Sequence, residues 1–208
     1  GSVLTRRLAS SPSATAKTRS MAERGASPII GVGFSQASSI EKVAKDFPKL
    51  QFAIVDMVVN QPNVQSVVFK EQGGSFLVGL MAAMASKTGK VGFVGGMDFP
   101  LIRKFQCGFE QGAKFIKPEI ELFGVYIPDF VAPQLGAEAA DAFVSEQGVD
   151  VVFGAGGPTG SGAIVRAAEL GAFVIGVDKD EYLSTFGSGE TPGADKIITS
   201  AVKRVDQG

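Results

Sequence analysis

The sequence holds no histidine and a single cysteine, Cys107, among its 208 residues. Without histidine the chain lacks the commonest general base and the commonest metal ligand. Serine–histidine and cysteine–histidine catalysis are thereby excluded, and one cysteine closes no disulfide within the chain. Charge of one sign is also lacking. Twenty basic residues stand against twenty-one acidic ones, a net charge of −1, so there is no electrostatic footprint for nucleic acid or an anionic membrane. No apolar run reaches the roughly twenty residues that a membrane span requires. What is there is a globular composition: 45% of residues are hydrophobic, enough for one large domain or two lobes of about a hundred residues each.

Short β-rich runs recur along the chain: "PIIGVGF", "QFAIVD", "SVVFK", "KVGFVGG", "ELFGVYI", "DVVFGAG", "FVIGVD" and "KIITS". Amphipathic segments such as "SSIEKVAKDF", "GSFLVGLMAAMASK", "LIRKFQCGFEQGAKFI", "QLGAEAADAFVSEQ" and "AIVRAAELG" lie between most of them. This alternation predicts an α/β fold of parallel sheets covered by helices on both faces. In "LIRKFQCGFEQGAKFI", Leu101, Ile102, Phe105, Phe109 and Phe115 mark the expected apolar helix face, and Cys107 is expected to be a buried structural thiol. The first twenty-two residues carry four basic residues and no acidic one, a composition shared with organelle transit segments. The continuity of "SATAKTRSMAERGA" with the strand "PIIGVGF" favours a helix.

Ligand sites in parallel sheets lie beyond the carboxyl ends of the strands. Those ends hold Gly33, Phe34 and Ser35, then Asp56, Gly95 to Asp98, Pro128 to Phe130, a glycine turn at 154–160, and Asp178. The glycine turn, "FGAGGPTGSG", has five glycines in ten residues. A nucleotide-triphosphate loop would end Gly-Lys-Ser/Thr and this one has no lysine, while Thr159 breaks the dinucleotide register. Two readings remain at this point: a tight strand-to-helix turn without a ligand, or bare backbone on which a neutral ligand rests.

From about Glu23 onward the stretches "GVGFSQASSIEKVAKDFPKLQFAIVD", "VVFKEQGGSFLVGLMAA", "GKVGFVGGMDFPLIRKFQCGFEQGAKF", "VDVVFGAGGPTGSG", "GVDKDE" and "ITSAVKRVD" recur in the order and spacing of one family. On them the chain resembles the basic membrane protein family (Med or PnrA-like), the nucleoside-binding lipoproteins of ABC importers. The resemblance implies a type I periplasmic-binding fold, two parallel-sheet lobes with a cleft between them that closes on a purine nucleoside. It implies ABC importer membrane subunits as partners, no cofactor, no catalysis, and an extracytoplasmic, membrane-associated location, although Cys107 is internal and does not match a lipidated cysteine. The expected division is a partial first lobe over 1–88, a second lobe over 89–196 and a return crossing over 197–208. The first lobe is expected to be incomplete, because the family's pattern has elements before residue 1 and beyond "KRVD".

The resemblance also assigns ligand-binding roles. Phe130, in "YIPDFVAP", matches the aromatic residue that packs on the nucleobase, where stacking contributes about 1–3 kcal/mol per base in single-strand binders. Asp178 matches the aspartate that accepts hydrogen bonds from the ribose hydroxyls, its two oxygens serving both at once. Lys203 matches a lysine near the cleft that donates to a ribose oxygen or counters Asp178. Gly157, Thr159 and Gly160 match the ligand-facing loop, in which Pro158 removes one N–H from the family's usual Gly-Gly-Thr-Gly. Phe34, Asp56 and Asp98 are weaker candidates. Three alternatives stay open: a nucleoside sensor, a ligand-free interaction module on the same fold, and a nucleoside-processing enzyme using Asp98, Asp178 or Asp180.

Overall fold

The computed structural model describes residues 12–205, which form two compact units: 12–69 with 204–205, and Lys70–Lys203. The smaller unit begins with α1 (Pro12–Glu23), the segment expected to be helical. It continues through β1 (Ile29–Val32), α2 (Ala37–Asp46), β2 (Phe52–Val55) and β3 (Val64–Val67). The strands are parallel, in the order β1-β2-β3, with Ile29 opposite Phe52 and Phe52 opposite Val64. Helix α2 buries Ile40, Val43 and Ala44, the i, i+3, i+4 spacing that puts apolar residues on one face. They meet Ile29, Phe52, Ile54 and Val59 in a small core. The buried amide of Asn63 reaches the carbonyls of Ala44, Phe47 and Leu50 at 3.0–3.1 Å and so fixes the exit of α2.

The larger unit contains α3 (Glu71–Ala85), β4 (Lys90–Gly95), α4 (Pro100–Ile116), β5 (Glu121–Tyr126), α5 (Pro133–Asp141), β6 (Val151–Ala155), α6 (Pro158–Glu169), β7 (Phe173–Asp178), the short α7 (Glu181–Ser184) and β8 (Ile197–Val202). Its sheet is parallel throughout, in the order β5-β4-β6-β7-β8. Seven of the eight β-rich runs picked out above contain a strand over most of their length, while β3 meets "SVVFK" only at Ser66 and Val67 and begins two residues earlier. The central "VVFGA" of β6 is buried at every position because helices cover both faces of the sheet, as continuous apolar strands in parallel sheets require. On one face Phe93, Val151, Phe153 and Ile175 pack with Val78, Ile102, Phe105 and Phe109 of α3 and α4. On the other Val94, Val152 and Val174 pack with Ala140, Ala163, Ile164 and Ala167 of α5 and α6.

The expected face of α4 is corrected at two positions. Cys107 is exposed, not buried, because the inward stripe runs through Ile102, Phe105, Phe109 and Ala113 and position 107 projects between its turns. Phe115 is 73% exposed. It lies six residues past Phe109, off the stripe, and rests edge-to-face on Phe76 of α3 at 5.8 Å. Helices α3 and α4 cross closely enough that a Cβ on Gly112 would sit 2.0 Å from the carbonyl oxygen of Phe76, and one on Gly79 would sit 2.1 Å from that of Phe109.

The segment 86–89, where a lobe crossing was expected, lies within the larger unit and is clasped from the foot of β6. The Asp150 carboxylate accepts from Ser86 Oγ at 2.6 Å and from the N–H groups of Lys87 and Thr88 at 2.7 and 2.9 Å. Partial burial works to raise its pKa, but these hydrogen bonds outweigh burial and hold the carboxyl below the ordinary 3.8. Asp150→Ala is expected to cost about 2 kcal/mol, the worth of hydrogen bonds to a charged acceptor partly replaced by water. A folded pKa below the unfolded one adds stability above about pH 4 that is lost as pH falls through the folded value. The gap between wild type and variant in urea unfolding should therefore be constant near neutrality and close in acid. Equal acid sensitivity of the two proteins would refute the clasp.

Candidate functional site

Because every strand of the larger sheet runs the same way, their carboxyl ends share one edge. Gly95 ends β4 with Gly96 after it, Gly156-Gly157 follows β6, Asp178 ends β7 and Lys203 follows β8. Neighbouring strands are about 4.8 Å apart, so side chains from successive strands fall within the span of one small ligand. The loop after β5 brings Phe130 across this edge. A Cβ on Gly96 would sit 2.2 Å from the Phe130 ring, so that ring lies against bare backbone that only glycine supplies. Phe99 meets the ring edge-to-face at 6.0 Å, and Phe130 packs on the core while staying partly exposed. Gly157 is exposed, next to the Phe130 backbone.

Helix α6 begins at Pro158, so the expected loop is helical from there on. Thr159 and Gly160 are buried. The Thr159 hydroxyl donates to the carbonyl of Asp129 at 2.7 Å and accepts from the N–H of Ala132 at 3.0 Å; its own N–H donates to the Phe130 carbonyl at 3.2 Å. Thr159 therefore secures, from beneath, the segment that carries Phe130, whereas Gly160 packs against the backbone of Gly154 and Ala155 in β6.

Asp178 has left-handed backbone, φ 64°, and its side chain is 56% exposed. The N–H of Lys203 donates to its carbonyl at 2.9 Å, and the Lys203 ammonium stands 3.9 Å from its carboxylate. The corner after β7 is braced by Glu181, whose buried carboxylate accepts from Ser161 Oγ at 2.7 Å, Thr185 Oγ1 at 2.5 Å and the N–H of Val177 at 3.2 Å. Asp180 caps α7, accepting from the N–H groups of Tyr182 and Leu183. That leaves Asp178 out of the helix start and facing outward.

Three weaker candidates remain. Asp98 is held by Arg103 through two hydrogen bonds of 2.6 and 2.9 Å. This pairing keeps its carboxyl below the ordinary range and raises the guanidinium further. Phe34 and Asp56 belong to the smaller unit. Sequence reasoning missed Glu71, the first residue of α3, 1% exposed and 3.3 Å from the Lys203 ammonium. A lone acid at the start of a helix gave no sign of that partner.

Among the described residues no helix is long and apolar enough to cross a membrane. Residues 3–207 match the profile of the family described as ABC transporter substrate-binding protein PnrA-like. The CD4+ T-cell-stimulating antigen of Listeria monocytogenes is 38% identical over 187 residues, covering 86% of this chain and 52% of that protein. The ABC transporter nucleoside-binding protein BmpA of Lactococcus lactis is 34% identical over 201 residues, 92% of this chain and 57% of that one. The chain thus spans about half the length of the curated relatives it matches. A solved structure of an ABC transporter solute-binding protein from Aeropyrum pernix K1 superimposes with a TM-score of 0.79 at 29% identity, covering 94% of this chain and 56% of that one. The fold is that of the type I periplasmic-binding-like proteins. By its profile, its relatives and the parallel sheet that carries its candidate site, the chain belongs to the PnrA-like family of ABC transporter substrate-binding proteins.

Proposed function

We propose that this chain captures a purine nucleoside along the carboxyl edge of its larger sheet, as the receptor of an ABC importer outside the cytoplasmic membrane. The observation that carries the reading is the pairing, along one edge, of a supported flat ring with an outward carboxylate: Phe130 against Gly96, and Asp178 two strands away from β4. A purine face stacks on the ring of Phe130. The two sugar hydroxyls donate to Asp178, a charge-assisted recognition of a neutral ligand. Gly157 lets the ligand approach backbone, Thr159 fixes the loop below it, Gly160 lets α6 start close against β6, and Lys203 supplies positive charge beside Asp178. Family membership and the nucleoside-binding name of the Lactococcus relative support the same reading.

Receptor rather than enzyme is the better account of the acids. Asp98 is engaged by Arg103 and Asp180 by the start of α7, so neither of these two acids is poised to pair with Asp178 as paired-carboxylate hydrolysis needs. Calorimetric titration of the folded chain with inosine, guanosine, adenosine and uridine tests the proposal. Micromolar or tighter binding of the purine nucleosides, with the nucleosides recovered intact, is expected. Absence of heat with all four would overturn it.

A further inference from the structure

We infer that the outer face of α3 and α4 rests on an anionic phospholipid surface, its leucine, methionine and phenylalanine side chains entering the boundary of the acyl chains and its lysines meeting the phosphate groups. Such docking needs no ligand at the strand tips, so it stands apart from the nucleoside reading.

Helix α3 is apolar on both sides. Val78, Ala82 and Ala83 are buried, whereas Leu77, Met81 and Met84 are 60%, 38% and 72% exposed. Their i, i+4, i+7 spacing puts these three on one face. Helix α4 runs beside α3 in the same direction, with Gly108 against the backbone of Gln72 and Gly112 against that of Phe76. Phe115, which rests on Phe76, continues the stripe, and exposed Ile116 follows it. This is more than the scattered single residues that a soluble surface normally shows.

The near-zero net charge of the chain is not shared by these helices. Residues 70–87 and 100–117 hold six basic residues and two acids. Of the acids, Glu71 is buried beside Lys104, and Glu110 accepts from Gln106 at 2.6 Å. Of the bases, Lys87 and Lys114 are exposed, and the Lys117 ammonium donates to the Ser86 carbonyl at 2.7 Å, beside the end of α3. Arg103 is held by Asp98, and exposed Glu119, just past α4, offsets one of the lysines. The face as a whole is positive.

An apolar stripe flanked by lysines suits an anionic bilayer, where the apolar groups enter the headgroup boundary and each nearby lysine is attracted by the lipid charge. A protein partner suits it less. From Phe76 to Ala85, α3 has no hydroxyl, amide or charged side chain, whereas protein interfaces carry about one hydrogen bond per 100–200 Å². A second copy would also set one positive face against another, which is unfavourable. Among the described residues no helix is long and apolar enough to cross a bilayer, so these two would lie along its surface.

The test is sedimentation of the full chain with vesicles of phosphatidylcholine alone and of phosphatidylcholine mixed with phosphatidylglycerol. Binding to the mixed vesicles should be about tenfold stronger or more, and should weaken in high salt. Lys87→Gln combined with Lys114→Gln should lower it about tenfold. Phe115→Ser should also lower it about tenfold, with the salt dependence retained. Lys42→Gln combined with Lys45→Gln removes the same charge from exposed positions of α2 and should change binding less than about twofold. All these side chains are exposed, and urea unfolding checks that each variant is folded. Wild type that ignores the mixed vesicles, or binds both kinds equally, would overturn the inference. So would face variants without effect, or an α2 pair as damaging as the pair on the face. A wild-type dimer in light scattering that Phe115→Ser turns into a monomer would overturn it too, and would assign the face to a second copy.

Discussion

Gly112→Ala should lower the stability of the larger unit by about 3 kcal/mol, the upper part of the range for forcing extra atoms into a packed contact. The sign runs against helix propensity, which favours alanine over glycine by about 0.5–1 kcal/mol in a helix interior. The reason is the crossing of α3 and α4, where the added carbon would sit 2.0 Å from the Phe76 carbonyl oxygen and 3.1 Å from the Leu80 nitrogen. Both neighbours are helix backbone and cannot turn aside as a flexible side chain would. Gly74, in the first turns of α3 with open space around it, is the matched control. There the same change should stabilise by a few tenths to 1 kcal/mol. Opposite shifts of the two variants in urea unfolding are expected. A stabilised Gly112→Ala would mean that the helices have room to part, and the tight crossing would be refuted.

Asp178→Asn should weaken binding of a purine ribonucleoside by about 100-fold. Hydrogen bonds to a charged group contribute about 1.5–3 kcal/mol each, and the change removes the charge together with one of the two acceptor atoms. Asparagine is the informative replacement because Asp178 has φ 64°, a left-handed conformation that asparagine accepts and alanine resists at a cost of about 1–2 kcal/mol. The variant should unfold within about 1 kcal/mol of wild type, since the side chain is more than half exposed and surface changes of this kind have small effects. Unchanged affinity by calorimetry would take Asp178 out of the sugar site, even if the chain still bound nucleosides through Phe130.

The two changes also sort what could be read from the chain. The strands were legible because period-two and continuous apolar runs bounded by glycine and acidic residues leave few other structures open. The parallel order followed from the alternation with helices. What was not legible depends on phase or on distance along the chain. Cys107 and Phe115 were assigned to the inward face because apolar residues are dense in α4, yet the stripe is set by the turn of the helix and passes both by. Thr159 and Gly160 read as loop because glycine and proline usually mark one, whereas Pro158 takes the first position of a helix, where its missing N–H costs nothing. Phe130, Gly157 and Asp178 could be placed at strand ends because a strand end is a local feature, while their ligand roles, and Lys203 altogether, came from the family resemblance. Glu71 and Glu181 could not be anticipated, since each owes its role to partners delivered by other elements.

The clasp at Asp150 and the opening at Gly157 sit at opposite ends of the same strand. Strand β6 is thus moored at its base by a carboxylate whose partners all belong to the protein, and bare at its tip. A polarity follows for how such a molecule diverges. Residues around the tips, such as Met97 and Val131, are exposed and can be exchanged to suit a new cargo. The mooring points can be exchanged only together, so descendants of this framework should keep their foundations while trading what they carry.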